Sequence, residues 1–472
     1  RGSDKLRPMR TLIRNAAWSV LWDGQAHAYA RGRDILLEGG QITSITPHAA
    51  APFDGEVIDA SGMLVLPGLV NIHSHPTTEP GMRGVREDHG VREQQMCGLF
   101  ERSQAYALDE AGREAAMRLA YAELMAAGVT SLVDLSAPFP AWLRVMRDSG
   151  LRVWAGPGFA SARWGMTAPQ TVTWSWDAEA GQRGFAVAQA LMDEAEAEAS
   201  GKLSAIVFPA QIDTVEEELL REAAALARAT GRPFTTHIAQ AVVEVREIIR
   251  RHNRTPIQWA AEIGLLSPTT VLGHCIFLDE HPSIGWHSRS DLGLTPFARY
   301  GEHLKDFGAY RARGVRMGMG TDCAPHNLIE EMRLAIILAR NARRDLAAAD
   351  TAMVFHAATA GGADALGRPD LGRLAPGMAA DLVLVDCAHP MMMPARDPLR
   401  SLVYHAADRA VKRVIVGGET VFAHGRPTRL DVGEAAGILM ESQARALRNA
   451  KDRDYLGRDG ESITPLSLGW MP

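Results

Sequence analysis

Two histidines separated by one serine, His73-Ser74-His75, close the apolar stretch "LVLPGLVNIHSHP" (64–76). Residues i and i+2 of a strand share a face. Both imidazoles therefore project together from the strand's C-terminal end, which suits a shared metal ion. In a chain with 16 histidines such a triplet also arises without function, so other strand ends must supply further ligands. They do: His237 follows "PFTT", His274 follows "TVLG" and Asp322 follows "VRMGMGT". Each has a structural reading when taken singly, Asp322 for instance as a cap of the next turn. Together, at the same end of four strands, they point to a metal centre.

Positioning such a set requires a parallel sheet. From about residue 67 to 370, apolar segments such as "VTSLVDLS", "LRVWAGPGF", "LSAIVFPA" and "TTVLGHCIF" alternate with amphipathic helices that often end in glycine. That is the βα rhythm of a parallel sheet. Seven strands are clear, one more near 284–296 is weak, and eight would close a (β/α)₈ TIM-type barrel with its site at the strand C-termini. An open doubly wound sheet is the rival, but no GxGxxG turn follows a strand. Residues 1–66 and 371–433 alternate apolar and polar positions, predicting a small β-sandwich domain built from both termini. Residues 434–472 read as a helix and tail that packs on the rest. The basic opening, 1–8, is followed by no hydrophobic stretch or cleavage site of a secretory signal and reads as an appended scar, with Met9 as the natural start.

Of the 472 residues 46% are hydrophobic and 22% charged, and no apolar run is long enough to span a bilayer. A net charge of −6 offers no basic footprint for nucleic acid. Four scattered cysteines, Cys97, Cys275, Cys323 and Cys387, argue against a disulfide framework and fit a cytoplasmic setting. A small-molecule substrate, no membrane or nucleic-acid partner, and a homo-oligomer, by default a dimer, are expected.

The split β unit, "PGLVNIHSH", "THIAQ", "GHC" and "GTDCAPHN" resemble the amidohydrolase superfamily across nearly the whole chain. Within it the chain looks most like the branch of triazine hydrolases and guanine, cytosine and S-adenosylhomocysteine deaminases. The resemblance implies that His73, His75, His237 and Asp322 hold the metal, and that His274 binds it or polarises substrate. Three imidazoles and a carboxylate suit Zn²⁺, with Fe²⁺ or Co²⁺ compatible. The ion would lower the pKa of a bound water toward roughly 7. Asp322 would act as acid/base and His274 would steady developing negative charge. Two-metal relatives carry a carboxylated lysine at the end of the fourth strand. Here that end reads Val207-Phe208-Pro209-Ala210, with Lys202 before the strand, so one metal per chain is expected.

Deaminases of this branch usually read HxxE after the fifth strand, where this chain reads His237-Ile238-Ala239-Gln240. A glutamine amide orients a partner but does not relay protons near neutral pH. The stretches "GLTPFARYGEHL" and "CAPHNLIEEMRLA" are similar to phenylurea and thiocarbamate hydrolases of the branch. The expected reaction is therefore metal-dependent hydrolysis of a non-peptide C–N bond in an amide, urea or carbamate, thiocarbamates included. Its substrate is small and of aromatic or xenobiotic type. The alternative is a deaminase or dechlorinase of a nitrogen heterocycle; a non-catalytic binding or assembly protein would be expected to have lost ligands. Gln240, Trp164, Arg299 and His326 are the expected substrate contacts. Trp174 and Trp176 with Trp164, and Met96 with Phe100, are further candidates for the pocket wall.

Overall fold

The computed structural model describes residues 10–85, 105–168, 171–277, 288–290, 304, 307–323 and 325–471. Eight short parallel strands surround the site: β1 (Leu69–Ser74), β2 (Val129–Ser136), β3 (Arg152–Pro157), β4 (Leu203–Ala205), β5 (Phe234–Ile238), β6 (Thr270–His274), β7 (Ser288–Ser290) and β8 (Arg316–Met317). β1 to β4 pair in order, as do β5 to β8. Single parallel bridges complete the circle, Val207 to Phe234 between β4 and β5, and Asn71 to Met319 and Ser74 to Asp322 between β8 and β1. The chain is thus a (β/α)₈ barrel. The weak seventh strand of the sequence is the three-residue β7, which pairs with β6 and β8.

β1 and β2 are buried along their whole length, as strands covered on both faces must be. Between them the helix α1 (Glu110–Ala126) starts at Asp109, whose side chain accepts from the Gly112 N–H. It buries Ala115, Ala116, Met117, Ala120, Tyr121, Leu124 and Met125 at roughly helical spacing.

The termini build the second unit. Met63–Pro67, which leads directly into β1, lies in a seven-stranded sheet beside Trp18–Trp22 and Leu382–Asp386. A four-stranded sheet centred on Arg10–Ala16 and Arg33–Glu38 packs against it through Ile13, Ile35, Leu37, Ile42, Val65, Leu382 and Ile415. The sandwich meets the bottom of the barrel. There Arg152, at the start of β3, donates to Asp381 through Nε at 2.7 Å and through a terminal nitrogen at 3.1 Å. Lys202, just before β4, pairs with Glu419 at 3.0 Å in the same seam.

Among the described residues no helix is long and apolar enough to cross a membrane. The C-terminal helix Val432–Arg448 lies along α1, with Ala435 and Leu439 against Ala115 and Ala116. Ser442 donates to Asp109 at 2.7 Å, and a Cβ on Gly112 would collide with the Ser442 side chain. Beyond the helix, Ala450 and Ile463 pack with Met82, Val85, Ala105 and Tyr106.

Candidate metal centre and its cavity

His73 and His75 stand at the end of β1, His237 on β5 and His274 at the end of β6, with Asp322 five residues past β8. All but His75 are almost wholly buried. The Nε2 atoms of His73 and His75 are 3.2 Å apart, those of His75 and His237 3.0 Å, and those of His237 and His73 3.2 Å. Asp322 Oδ1 lies 3.4 Å from His75 Nε2 and 3.9 Å from His73 Nε2. The His274 ring is 4.6 Å from that of His73 and stacks on His237 at 5.2 Å.

The hydrogen bonds fix the tautomers. His75 donates from Nδ1 to the Leu135 carbonyl at 2.6 Å, and His237 from Nδ1 to the Ala210 carbonyl at 2.5 Å. Each ring is then neutral with a bare lone pair on Nε2. Burial, followed by the neighbouring His73, depresses the His75 pKa to about 3 and holds His237 well below the usual histidine range. Converging lone pairs repel unless a cation sits among them. Nitrogens around a tetrahedral zinc with bonds of about 2.0–2.1 Å lie roughly 3.4 Å apart, close to the spacing here. The residues fit a divalent metal, and His73, His75, His237, His274 and Asp322 are those that could hold it.

Local structure explains how the set converges. The His75 N–H donates to the Asp322 carbonyl at 2.8 Å and the Asp322 N–H to the His73 carbonyl at 3.0 Å. Gly320 permits this approach, since a Cβ there would sit 2.6 Å from the His73 Cβ. Asn71, a polar residue inside an apolar strand, donates to the Thr321 hydroxyl at 2.8 Å and accepts from the Thr321 and His73 N–H groups. His274 and Asp322 have φ of 83° and 56°, strain of the kind that collects at functional sites.

A cavity of about 420 Å³ opens over His75 and His237. Its wall is mostly apolar, with Met82, Leu108, Leu135, Phe159 and Phe208, and its polar members include Thr77, Ser136, Gln211 and Arg113. Gln240 is buried and its amide donates to the side-chain carbonyl of Gln211. Its position is held by Glu244, whose carboxylate accepts the Ala239 N–H at 2.6 Å and the Gln240 N–H at 2.9 Å. Burial, reinforced by the nearby Asp213 carboxylate, raises the Glu244 pKa to about 8.

The expected substrate contacts divide. Gln240 adjoins the cavity through Gln211, whereas His326 is fully buried and bonds the Thr321 hydroxyl at 3.2 Å, behind Asp322. Trp164 and Trp174 direct their indole N–H groups to Asp213, at 3.0 and 2.8 Å. They fasten the hairpin Ala162–Ala168/Thr171–Trp176 to the barrel, while Trp176 lies under Arg251 at 4.8 Å. Arg299, Met96 and Phe100 fall outside the described residues. Sequence reasoning passed over Asn71, Gln211, Asp213, Glu244 and Arg113. The first three carried a signal, being polar residues in or beside apolar strand segments.

Comparison with known proteins agrees with this geometry. Residues 64–421 match the amidohydrolase family, and the chain belongs to it. It is similar to a 5-methylthioadenosine/S-adenosylhomocysteine deaminase of Haloquadratum walsbyi, 29% identical over 427 residues, 86% of this chain and 91% of the relative. It is also similar to a 5'-deoxyadenosine deaminase of Methanothermobacter thermautotrophicus, 28% identical with 88% and 94% covered. Among solved structures, a zinc-bound adenosine deaminase from Xanthomonas campestris superposes with a TM-score of 0.81 at 23% identity, covering 93% of this chain and 99% of that one. The zinc complex of atrazine chlorohydrolase from Arthrobacter aurescens gives 0.80 at 22%, covering 92% and 100%. The chain is accordingly a hydrolase of the amidohydrolase family with a centre for a divalent metal.

Proposed function

We propose that the protein hydrolyses a small nitrogen heterocycle, displacing an amino group or a halide from a ring carbon. The observation that carries this is the convergence of His73, His75 and His237, with Asp322 beside them, next to a largely apolar cavity that His75 and His237 line. Deaminases among its relatives over most of the chain support a heterocycle ahead of the urea, carbamate or thiocarbamate suggested by the sequence. The barrel, which we take as residues 67–370, carries the reaction.

His73, His75, His237 and Asp322 hold one metal, zinc in preference to Fe²⁺ or Co²⁺. Such an ion supplies Lewis acidity and a water nucleophile at neutral pH. Asp322 accepts the attacking water's proton and returns it to the departing group. His274 donates toward negative charge developing on the ring. Gln240 holds its place by hydrogen bonds and carries no proton, leaving that duty to Asp322 alone. A weakly basic leaving group, which needs little protonation, suits this arrangement better than a strongly basic amine. Lys202 is committed to Glu419 at the barrel's opposite end, which supports a single-metal site.

The test is a screen of zinc-loaded protein with aminated and chlorinated purines, pyrimidines and triazines beside phenylureas and thiocarbamates. Ammonia or chloride released from a ring, lost in Asp322→Asn, is the expected result. Turnover confined to ureas or carbamates would replace this reading with the second.

A further inference from the structure

Arg113 is the one arginine, lysine, aspartate or glutamate among the described residues that line the cavity. It sits in the first turn of α1 and is half-buried. Its neighbour Glu114 is taken by Arg118 and Arg144. Among the described residues the Arg113 guanidinium forms no ion pair; it lies over the face of the Phe139 ring, whose centroid is 5.5 Å from the guanidinium carbon. A guanidinium offers five N–H donors in a planar fork, and leaving them unpaired at a partly buried site is costly. That fork matches the two oxygens of a carboxylate. The metal centre adds positive charge that the single carboxylate of Asp322 does not cancel, so the cavity as a whole favours an anion. The remaining wall, built of Met82, Leu108, Leu135, Phe159 and Phe208, suits a flat apolar body.

We propose that the substrate is a heteroaromatic ring bearing a carboxylate, and that Arg113 binds this group while the ring lies over the metal centre. The proposal rests on the cavity being the substrate pocket, as in the reading above. It makes Arg113 a determinant of specificity that acts on binding and not on the chemical step.

Equilibrium binding tests it without turnover. Pyridine-3-carboxylate and its neutral amide are titrated by calorimetry into zinc-loaded wild type, Arg113→Met, which removes the charge but keeps an unbranched side chain, and Arg113→Lys. The wild type is expected to prefer the acid by about ten- to a hundredfold. Arg113→Met should erase that preference while binding the amide unchanged, and Arg113→Lys should retain part of it. A wild type that binds neither compound, or binds both alike, overturns the proposal. So does an acid that binds Arg113→Met as tightly as wild type, since the metal would then be holding it. An Arg113-dependent preference in a protein that hydrolyses no heterocycle would sink the reaction assigned above and leave this inference standing. Heterocycle turnover indifferent to Arg113 would do the reverse.

Discussion

At the scale of single residues, the site depends on donors that other groups orient. His75 and His237 point bare nitrogens inward because backbone carbonyls of Leu135 and Ala210 hold their other nitrogens. In the proposed mechanism, replacing Asp322 by Asn removes the anionic ligand and the proton acceptor together. Elemental analysis should then find well under one metal per chain after dialysis, with turnover lost. A second expectation concerns Asp134 on β2, which accepts from the Tyr121 hydroxyl at 2.8 Å and from Ser136. Burial raises its pKa from 3.8 to about 6. The folded state therefore holds this proton more tightly than the unfolded chain. Its stabilisation is complete below pH ~4 and is lost as pH rises through ~6. Relative to Asp134→Asn, the wild type should lose on the order of 3 kcal/mol across that window, read by urea unfolding at stepped pH.

At the scale of elements, the hydroxyls, amides and rings near the metal are placed by pieces that never reach it. The hairpin Ala162–Ala168/Thr171–Trp176 hangs on Asp213, and the loop after β5 hangs on Glu244. The C-terminal arm does the same for the rim, with Ala450 and Ile463 packed on Met82 and Tyr106, and the Tyr106 hydroxyl donating to the Gly460 carbonyl at 2.8 Å. Ending the chain after residue 449 should loosen the wall that Met82 contributes. KM should rise severalfold, kcat should change little and metal content should stay the same. An equal fall in kcat would mean that the arm supports the centre itself.

At the scale of the molecule, the sandwich and the barrel are joined by a buried ion pair. Asp381 receives two hydrogen bonds from Arg152 and a third from the Gly417 N–H at 2.7 Å. Breaking such a pair strands a buried guanidinium. Asp381→Asn should lower stability by about 3 kcal/mol or more, whereas removing both charges with Arg152→Met and Asp381→Leu should restore much of it. Thermal unfolding of the three proteins separates these cases. Because Met63–Pro67 of the sandwich runs straight into β1, strain at this seam reaches the strand that carries both His73 and His75.

Strand periodicity and ligand type made much of this legible in the amino-acid chain. The pairing of His73 with His75 follows from a period of two, and the positions of His237, His274 and Asp322 follow from apolar runs that end in polar residues. The βα rhythm pointed to the barrel, because a parallel sheet must be covered on both faces, by helices outside and by its own closure inside. Side-chain direction was not legible in the same way. Trp164 and Trp174 read as pocket wall, and the structure ties their indoles to Asp213, a partner 49 and 39 residues away in sequence. His326 read as a substrate contact, yet it bonds Thr321 in the interior. Arg113 carried no sequence signal, being one arginine on a helix rich in charge. Which groups share a cavity is decided by distances across the barrel, which the local pattern does not contain; the candidate ligand set was legible because its members sit at or shortly past the C-terminal ends of strands.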